Sequence, residues 1–159
     1  MRIPRIYLET TMFNYYFEPE RESHADTLKL FQEIKAGKYQ AFTSVYATRE
    51  LLRAPDEKAQ KMIRLISEFN ITVLEANEEA NSLAATYQKQ GIIPPGSIVD
   101  AQHIAVAAVN DLDMIISLNF KHIVRKKTEI MTGRVNTDLG YKPVDIHSPM
   151  EVVDRENTQ

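Results

Sequence analysis

Short apolar segments alternate with longer amphipathic segments along this chain, and that alternation restricts the fold more than any single motif does. The short segments predict strands over 5–9, 40–45, 71–74, 114–118 and 144–147. The longer segments predict helices over 23–35, 48–54, 56–69, 77–90 and 98–109. Because helical crossovers join parallel strands, we expect an α/β fold with a mainly parallel sheet and helices on both faces. We expect an irregular excursion over 126–141.

The composition is that of one globular domain. With 159 residues, 43% of them hydrophobic and 26% charged, the chain is long enough to bury a substantial core. No run approaches the roughly 18 to 20 apolar residues that span a bilayer, so we expect no membrane association. The first residues lead straight into a strand, which argues against a secretory signal. Cysteine is absent, which excludes disulfides and thiolate metal sites and fits a cytoplasmic protein.

The charge of the chain is mildly acidic, with one local basic cluster. A net charge of −3 argues against a protein coated in basic residues for bulk nucleic-acid binding. The densest cationic cluster is Arg125-Lys126-Lys127, with Lys121 just upstream. It could be a rim that contacts phosphates and draws in RNA, or it could be an ordinary solvated charge run.

Three carboxylates lie next to or inside apolar runs. Glu9 ends the first strand, Glu50 follows the second, and Asp100 lies at the start of an apolar helix. Each suffers desolvation unless a cation, a salt bridge or a proton compensates it. Carboxyl ends of parallel strands meet at one sheet edge, where Asn119 also follows the fourth strand. Such clustered oxygens are what Mg²⁺ or Mn²⁺ prefers, which suggests a shared cation.

Two of these acids also have simpler explanations. Glu9 could be a strand-end carboxylate that pairs with Arg5 or Arg49. Glu50 could be an exposed helical residue that pairs with Arg53. Neither explanation needs a cation, so the geometry of the folded chain has to decide between them.

Other polar and aromatic residues near these acids are open to two interpretations. Asp100 could simply stabilise a helix start, and His103, on the same helical face, is expected to be a packed histidine rather than a ligand. Thr10 and Ser44 could bind a water or a phosphate near the site. Residues 12–17 contain Tyr and Phe that could stack on bases, although we favour packing or partner contact.

Four motifs follow one another along the chain. They are Ile6-Tyr7-Leu8-Glu9-Thr10-Thr11, Thr43-Ser44 with Glu50-Leu51-Leu52-Arg53, Asp100-Ala101-Gln102-His103-Ile104-Ala105 and Ser117-Leu118-Asn119-Phe120-Lys121-His122-Ile123. In this order they resemble the PIN-domain family. The resemblance implies a three-layer α/β/α fold with a mainly parallel sheet. From the length of the chain we expect a single PIN-like domain over 1–150, followed by a flexible tail over 151–159.

The resemblance also implies an activity and a set of site residues. PIN domains are known as Mg²⁺- or Mn²⁺-dependent ribonucleases, many of them toxins of toxin–antitoxin pairs. Glu9, Glu50 and Asp100 match the acidic metal ligands by position, with Glu9 standing where the family usually has Asp. Asn119 stands where many members carry a fourth acid and would complete the catalytic set as a neutral ligand or water-positioner. The lost negative charge should weaken metal binding.

These observations lead to a first hypothesis and two rivals. The first is a cytoplasmic metal-dependent endoribonuclease that hydrolyses RNA and leaves a 5′-phosphate, with a small antitoxin protein as partner and a homo-oligomeric state. The second is a PIN-fold module with weakened catalysis that binds RNA or protein, which Asn119 favours. A nucleotide-cofactor enzyme is disfavoured, because no Gly-x-Gly-x-x-Gly or Walker-type loop follows any strand.

Overall fold

A five-stranded parallel sheet forms the centre of the protein in a computed structural model that describes residues 2–155. The strands are β1 (Arg5–Leu8), β2 (Gln40–Ser44), β3 (Thr72–Leu74), β4 (Met114–Ile116) and β5 (Asp145–His147). They lie in the order β3-β2-β1-β4-β5, and every neighbouring pair is parallel. The α/β fold with a parallel sheet expected from the alternation of elements is therefore confirmed.

Helices cover both faces of this sheet. They are α1 (Thr10–Tyr15), α2 (His24–Lys35), α3 (Val45–Leu51), α4 (Asp56–Glu68), α5 (Glu78–Lys89), α6 (Ile98–Val109), α7 (Lys126–Asp138) and α8 (Pro149–Val152). A short 3₁₀ helix, Pro95–Ser97, leads into α6. Within residues 2–155, none of the helices combines the length and the apolar character needed to cross a membrane.

Side chains along β1 alternate between two hydrophobic cores. Tyr7 faces a core built with α5, α6 and α7, whereas Ile6 and Leu8 face a core built with α1, α2 and α4. Successive side chains of a strand point to opposite faces, so the central strand can supply both cores at once. The result is the three-layer α/β/α arrangement that the sequence motifs imply.

Two helix boundaries follow from local residues and agree with the sequence. The Asn77 side chain accepts a hydrogen bond from the Ala80 N–H at 2.7 Å, which satisfies a free donor in the first turn of α5. Gly37 follows α2 with a φ of +83°, a left-handed conformation that costs glycine little. The hydrogen bond and the glycine thus set where α5 begins and α2 ends.

The excursion expected over 126–141 is wrong, because most of this segment forms α7. The buried side of α7 is small or polar, so it lacks the apolar periodicity by which a helix is recognised. Thr132 donates a hydrogen bond from its hydroxyl to the Thr128 carbonyl at 2.8 Å, and Asn136 accepts one from the Tyr87 hydroxyl. These bonds allow polar side chains to pack inside.

Local differences from the predicted elements occur near the strand ends. Helix α1 was not predicted, and α3 begins at Val45, three residues before the predicted start. Within α1 and just beyond it the aromatic side chains pack, as Tyr16 shows by meeting Phe31 and Phe69 edge to face. The tail expected over 151–159 lies partly outside the described residues. In the described part, the Asp154 N–H donates to Glu33 Oε2 at 2.9 Å.

Asp113, before β4, ties three segments together at the amino edge of the sheet. Its carboxylate accepts hydrogen bonds from the Arg5 N–H at 2.7 Å, from Arg2 at 2.7 Å and from Lys142 at 2.9 Å. Burial acts to raise the pKa of this carboxyl, but the three hydrogen bonds outweigh it and lower the pKa of Asp113 to about 2. The ionised form therefore stabilises the fold.

We expect Asp113→Asn to lower the free energy of unfolding at pH 7 by about 1 to 2 kcal/mol, given roughly 1.4 kcal/mol per pKa unit. The pKa of the folded state is lower than that of the unfolded state. The contribution is therefore complete above about pH 4 and lost as the pH falls through about 2. Urea unfolding of both proteins from pH 7 to pH 2 measures it. A difference that stays constant down to pH 2 would contradict this origin.

The matched control is Asp154→Asn, which also removes a carboxylate that pairs with a lysine, Lys38. That side chain is 68% exposed, compared with 20% for Asp113. Exposed ion pairs contribute little to stability, so the control should change the free energy of unfolding much less than Asp113→Asn.

Candidate metal centre

Glu9 is a buried carboxylate at the carboxyl end of the central strand. It follows β1 directly and occupies the N-cap position of α1, and only 3% of the residue is exposed. Its Oε1 accepts hydrogen bonds from the hydroxyls of Ser117 and Thr11, each at 2.6 Å. Burial raises the pKa of Glu9, against the opposing effects of His103 and of these hydroxyls. Among residues 2–155, no side chain forms an ion pair with it.

Glu50 approaches the same place from the last turn of α3. Its Oε1 accepts a hydrogen bond from the Thr10 hydroxyl at 2.5 Å and lies 2.7 Å from His103 Nε2. Burial acts to raise the pKa of Glu50, but the hydrogen bonds from His103 and Thr10, together with the positive charge of Arg53, outweigh it and leave the pKa lowered. Thr10 follows Glu9 in the chain, so α1 brings its hydroxyl to this second carboxylate.

Glu9, Glu50 and His103 together could hold a metal ion. Each offers one ligand atom, and the three atoms lie within 4.8 Å of one another. They come from three separate elements, the end of β1, α3 and α6. The structure thus brings together two of the three acids predicted as ligands. It also places beside them His103, which was expected from the sequence to be a packed residue.

His103 is packed and hydrogen-bonded, as expected from the sequence. Its ring is completely buried, with Nδ1 2.6 Å from the Tyr7 hydroxyl and Nε2 turned to Glu50. The Tyr7 hydroxyl lies 2.7 Å from Ser44 Oγ. Both ring nitrogens therefore have partners. Nε2 is the ring nitrogen that lies beside the Glu50 carboxylate.

Asp100 lies in the first turn of α6 but does not join this group of three. Its Oδ2 is 2.8 Å from Nδ1 of His122, which belongs to the loop after β4. Ser97, rather than Asp100, occupies the N-cap of the helix, without a side-chain cap bond. The Asp100 carboxylate therefore pairs with a histidine and lies outside the group formed by Glu9, Glu50 and His103. Its role as a metal ligand stays a prediction.

Asn119 connects the two sides of the site at its rim. Its N–H donates to Ser117 Oγ at 2.9 Å, and its side-chain oxygen accepts the His122 N–H at 3.0 Å. Since Ser117 also donates to Glu9, hydrogen bonds run from Glu9 through Ser117 and Asn119 to His122, and from there to Asp100. The side-chain oxygen of Asn119 is therefore already engaged by the protein.

The pairings proposed as simpler explanations for Glu9 and Glu50 do not form in residues 2–155. Arg5 places its guanidinium over the Phe42 ring, and Arg53 influences Glu50 only through its charge. Neither the supporting hydroxyl of Ser117 nor the histidine that holds Asp100 was predicted from the sequence. Hydroxyl residues beside the strand-end acids were the available signal for Ser117. Nothing local in the sequence pairs His122 with Asp100.

The basic cluster borders this loop. Lys121 and residues 125–127 are exposed, and Lys126 pairs with Glu129 in the next turn of α7. The Thr128 hydroxyl donates to the His122 carbonyl at 3.0 Å, which fastens the start of α7 to the segment that holds Asp100. The basic cluster and Asp100 thus belong to adjoining parts of the structure.

Comparison with solved structures finds this fold in other proteins. One chain in the crystal structure of VapBC2 from Rickettsia felis, bound to a DNA fragment from their promoter, matches with a TM-score of 0.56 and 12% identity. The match covers 91% of this chain and 98% of that chain. Tyrosyl-tRNA synthetase from Aeropyrum pernix matches at 0.52 and 13% identity over 92% of this chain, which spans about half, 52%, of that chain.

Comparison at the level of sequence gives no match. Neither a protein-family profile nor a curated protein matches the chain. At identities of 12 and 13%, the structural similarities concern the fold. Together with the strand order and the two layers of helices, they show that the chain has the three-layer α/β/α fold expected from its PIN-like motifs.

Proposed function

We propose that this protein is a Mg²⁺- or Mn²⁺-dependent endoribonuclease. The observation that carries the proposal is the buried carboxylate of Glu9, which within residues 2–155 accepts hydrogen bonds only from hydroxyls and lies close to a second carboxylate, Glu50. A buried carboxylate without a charged partner is costly, and a bound cation is one way to compensate both acids at once.

The donor atoms fit such a cation. Glu9 and Glu50 offer hard carboxylate oxygens, which Mg²⁺ and Mn²⁺ prefer, within 4.8 Å of each other. These two residues would hold the ion. Asp100 would join them if its carboxylate exchanged His122 for the metal, with Asn119 at the rim. The empty coordination positions of such small hard cations are usually filled by water.

The chemistry that fits this site is hydrolysis of a phosphodiester. A cation held by Glu9 and Glu50 would supply activation of the attacking water and positive charge opposite the phosphate. The residues of the chain prepare the site. Thr10 and Ser117 fix the orientation of the two carboxylates through their hydroxyls, and the exposed residues Lys121 and 125–127 supply positive charge for the RNA backbone. No side-chain nucleophile is needed.

The biological setting proposed for this activity is a toxin–antitoxin pair. The similarity to a chain of the VapBC2 complex supports a small protein partner, and we expect a homo-oligomer as well. Co-expression with the product of a neighbouring small reading frame, followed by size-exclusion chromatography, tests the partner directly.

A second candidate is an RNA-binding module with weakened catalysis. The observation that favours it is the state of Asp100 and Asn119. One is held by His122, and the other has a neutral side chain whose oxygen already accepts the His122 N–H. On this hypothesis Glu9 and Glu50 would be the only free carboxylates of the site among the described residues, too few to support efficient cleavage.

We expect Mn²⁺ to stabilise the protein, by about 2.7 kcal/mol at roughly a hundred times its dissociation constant. Glu9→Gln should abolish most of this stabilisation, because the amide is a poorer ligand than the carboxylate. Thermal unfolding with and without Mn²⁺ measures both. The matched control is Glu33→Gln, which changes another buried glutamate, 5% exposed, on α2. It should keep the full response, and a wild-type Tm insensitive to Mn²⁺ would count against the metal site.

Cleavage of a mixed RNA pool separates the two candidate functions. For the nuclease we expect cleavage with Mn²⁺ or Mg²⁺, none with chelator, and a loss of at least about a hundredfold in Glu9→Gln, a size seen when key catalytic groups are removed. The products should carry 5′-phosphates. Binding of the same RNA without any metal-dependent cleavage would establish the second candidate instead.

Replacing the three basic residues at 125–127 by Ala should weaken RNA binding and flatten its salt dependence by roughly 0.7 per lost phosphate contact. It should leave the response to Mn²⁺ intact, since cationic side chains do not ligate a cation. The control replaces Lys29, Lys35 and Lys61 on α2 and α4, across the sheet from α7. Equal salt slopes for both triple variants and the wild type would show that the cluster is only a solvated charge run.

A further inference from the structure

Three buried polar side chains form a line that ends on the Glu50 carboxylate. We propose that Ser44, Tyr7 and His103 are positioning residues that hold Glu50 through hydrogen bonds of one fixed direction. Ser44 donates to the Tyr7 oxygen, and Tyr7 donates to His103 Nδ1. His103 then donates its Nε2–H to Glu50 Oε1. This inference rests on the proposed function, because Glu50 is one of the two acids assigned to the metal.

The geometry of this relay comes from three elements. Ser44 ends β2, Tyr7 lies in β1, and His103 lies in the second turn of α6. The distances along the line are 2.7 Å, 2.6 Å and 2.7 Å, and all three residues are completely buried. Water does not reach these groups, so each has to find its hydrogen-bond partner inside the protein.

The direction of the relay follows from the carboxylate. Glu50 Oε1 accepts the Thr10 hydroxyl and a carboxylate oxygen has no proton to donate, so the proton between Glu50 and His103 belongs on Nε2. A neutral ring with its proton on Nε2 accepts at Nδ1. The Tyr7 phenol is a hydroxyl donor 2.6 Å from Nδ1 and can supply its proton there. The Tyr7 oxygen is then free to accept the Ser44 hydroxyl.

The same arrangement assigns different tasks to the two oxygens of Glu50. Thr10 and His103 both approach Oε1, at 2.5 Å and 2.7 Å. Two donors on one oxygen leave Oε2 as the oxygen for a cation. A nitrogen that carries a proton and donates it has no free lone pair for a metal. A ring nitrogen of His103 lies within 4.8 Å of an oxygen of each acid. Because that nitrogen donates its proton, His103 supports Glu50 and is not a third ligand.

The state of the His103 ring can be measured without metal. We expect ¹⁵N NMR of the metal-free protein to show a proton on Nε2 and none on Nδ1. The signals of His103 are identified among those of the four histidines by their loss in His103→Gln. Tyr7→Phe should shift the Nδ1 resonance, because it removes the donor. A proton on Nδ1, either alone or together with one on Nε2, would overturn the proposed direction.

The effect on the metal site is measured by titration with Mn²⁺. Tyr7→Phe should weaken Mn²⁺ binding by about tenfold, the low end of the range for residues that support a ligand. Tyr87→Phe is the matched control, since Tyr87 is equally buried and its hydroxyl donates to Asn136 on α7. It should leave the affinity unchanged. An equal loss in both variants would show a general effect of destabilisation and would overturn the relay.

Two further measurements on the same protein separate support from ligation. His103→Gln, which keeps a side-chain N–H donor, should retain more Mn²⁺ affinity than His103→Ala. Electron spin echo spectra of bound Mn²⁺ should lack the signature of a directly coordinated nitrogen, and its presence would make His103 a ligand. If the wild type binds no Mn²⁺, the proposed function fails, while the nitrogen resonances of the metal-free protein still decide whether the relay exists.

Discussion

The hydrogen bonds to the Glu9 carboxylate hold the carboxyl edge of the sheet together. Ser117, just after β4, and Thr11, in α1, both donate to the same oxygen. The backbone of Glu9 also donates its N–H to the Ile116 carbonyl at 3.1 Å. Strands β1 and β4, helix α1 and the loop that carries Asn119 therefore meet at one acidic side chain. Burying a carboxylate at the edge of the sheet costs desolvation free energy, so its presence there indicates a functional role.

The two acids of the site are affected in opposite ways by their surroundings. Burial dominates at Glu9 and raises its pKa, whereas donors dominate at Glu50 and lower its pKa. Environments that push the pKa values of two neighbouring carboxyls apart are typical of sites in which the two acids have different roles. The proposed nuclease and the proposed relay both depend on Glu50, because the hydrogen bonds from Thr10 and His103 fix the direction of its carboxylate.

The sequence predicts the parts of this structure that depend on local patterns. The limits of α6 agree with the predicted helix over 98–109, and the parallel sheet follows from the order of the elements. Helix α7 was missed because its buried side is polar. At the site, Glu9 and Glu50 were expected to converge and do so. The partner of Asp100 could not be foreseen, since it lies 22 residues away and depends on how one loop folds back.

The strand order determines how well a ligand site at this edge of the sheet withstands substitutions. From β1 the chain moves outward to β2 and β3 on one side, and it later returns through β4 and β5 on the other. Connections that depart in opposite directions open a crevice between the two central strands at their carboxyl ends, the topological switch point of open α/β sheets. The path of the backbone creates this crevice, so it does not depend on particular side chains. Substitutions could change the chemistry of this crevice and still leave a place for a ligand.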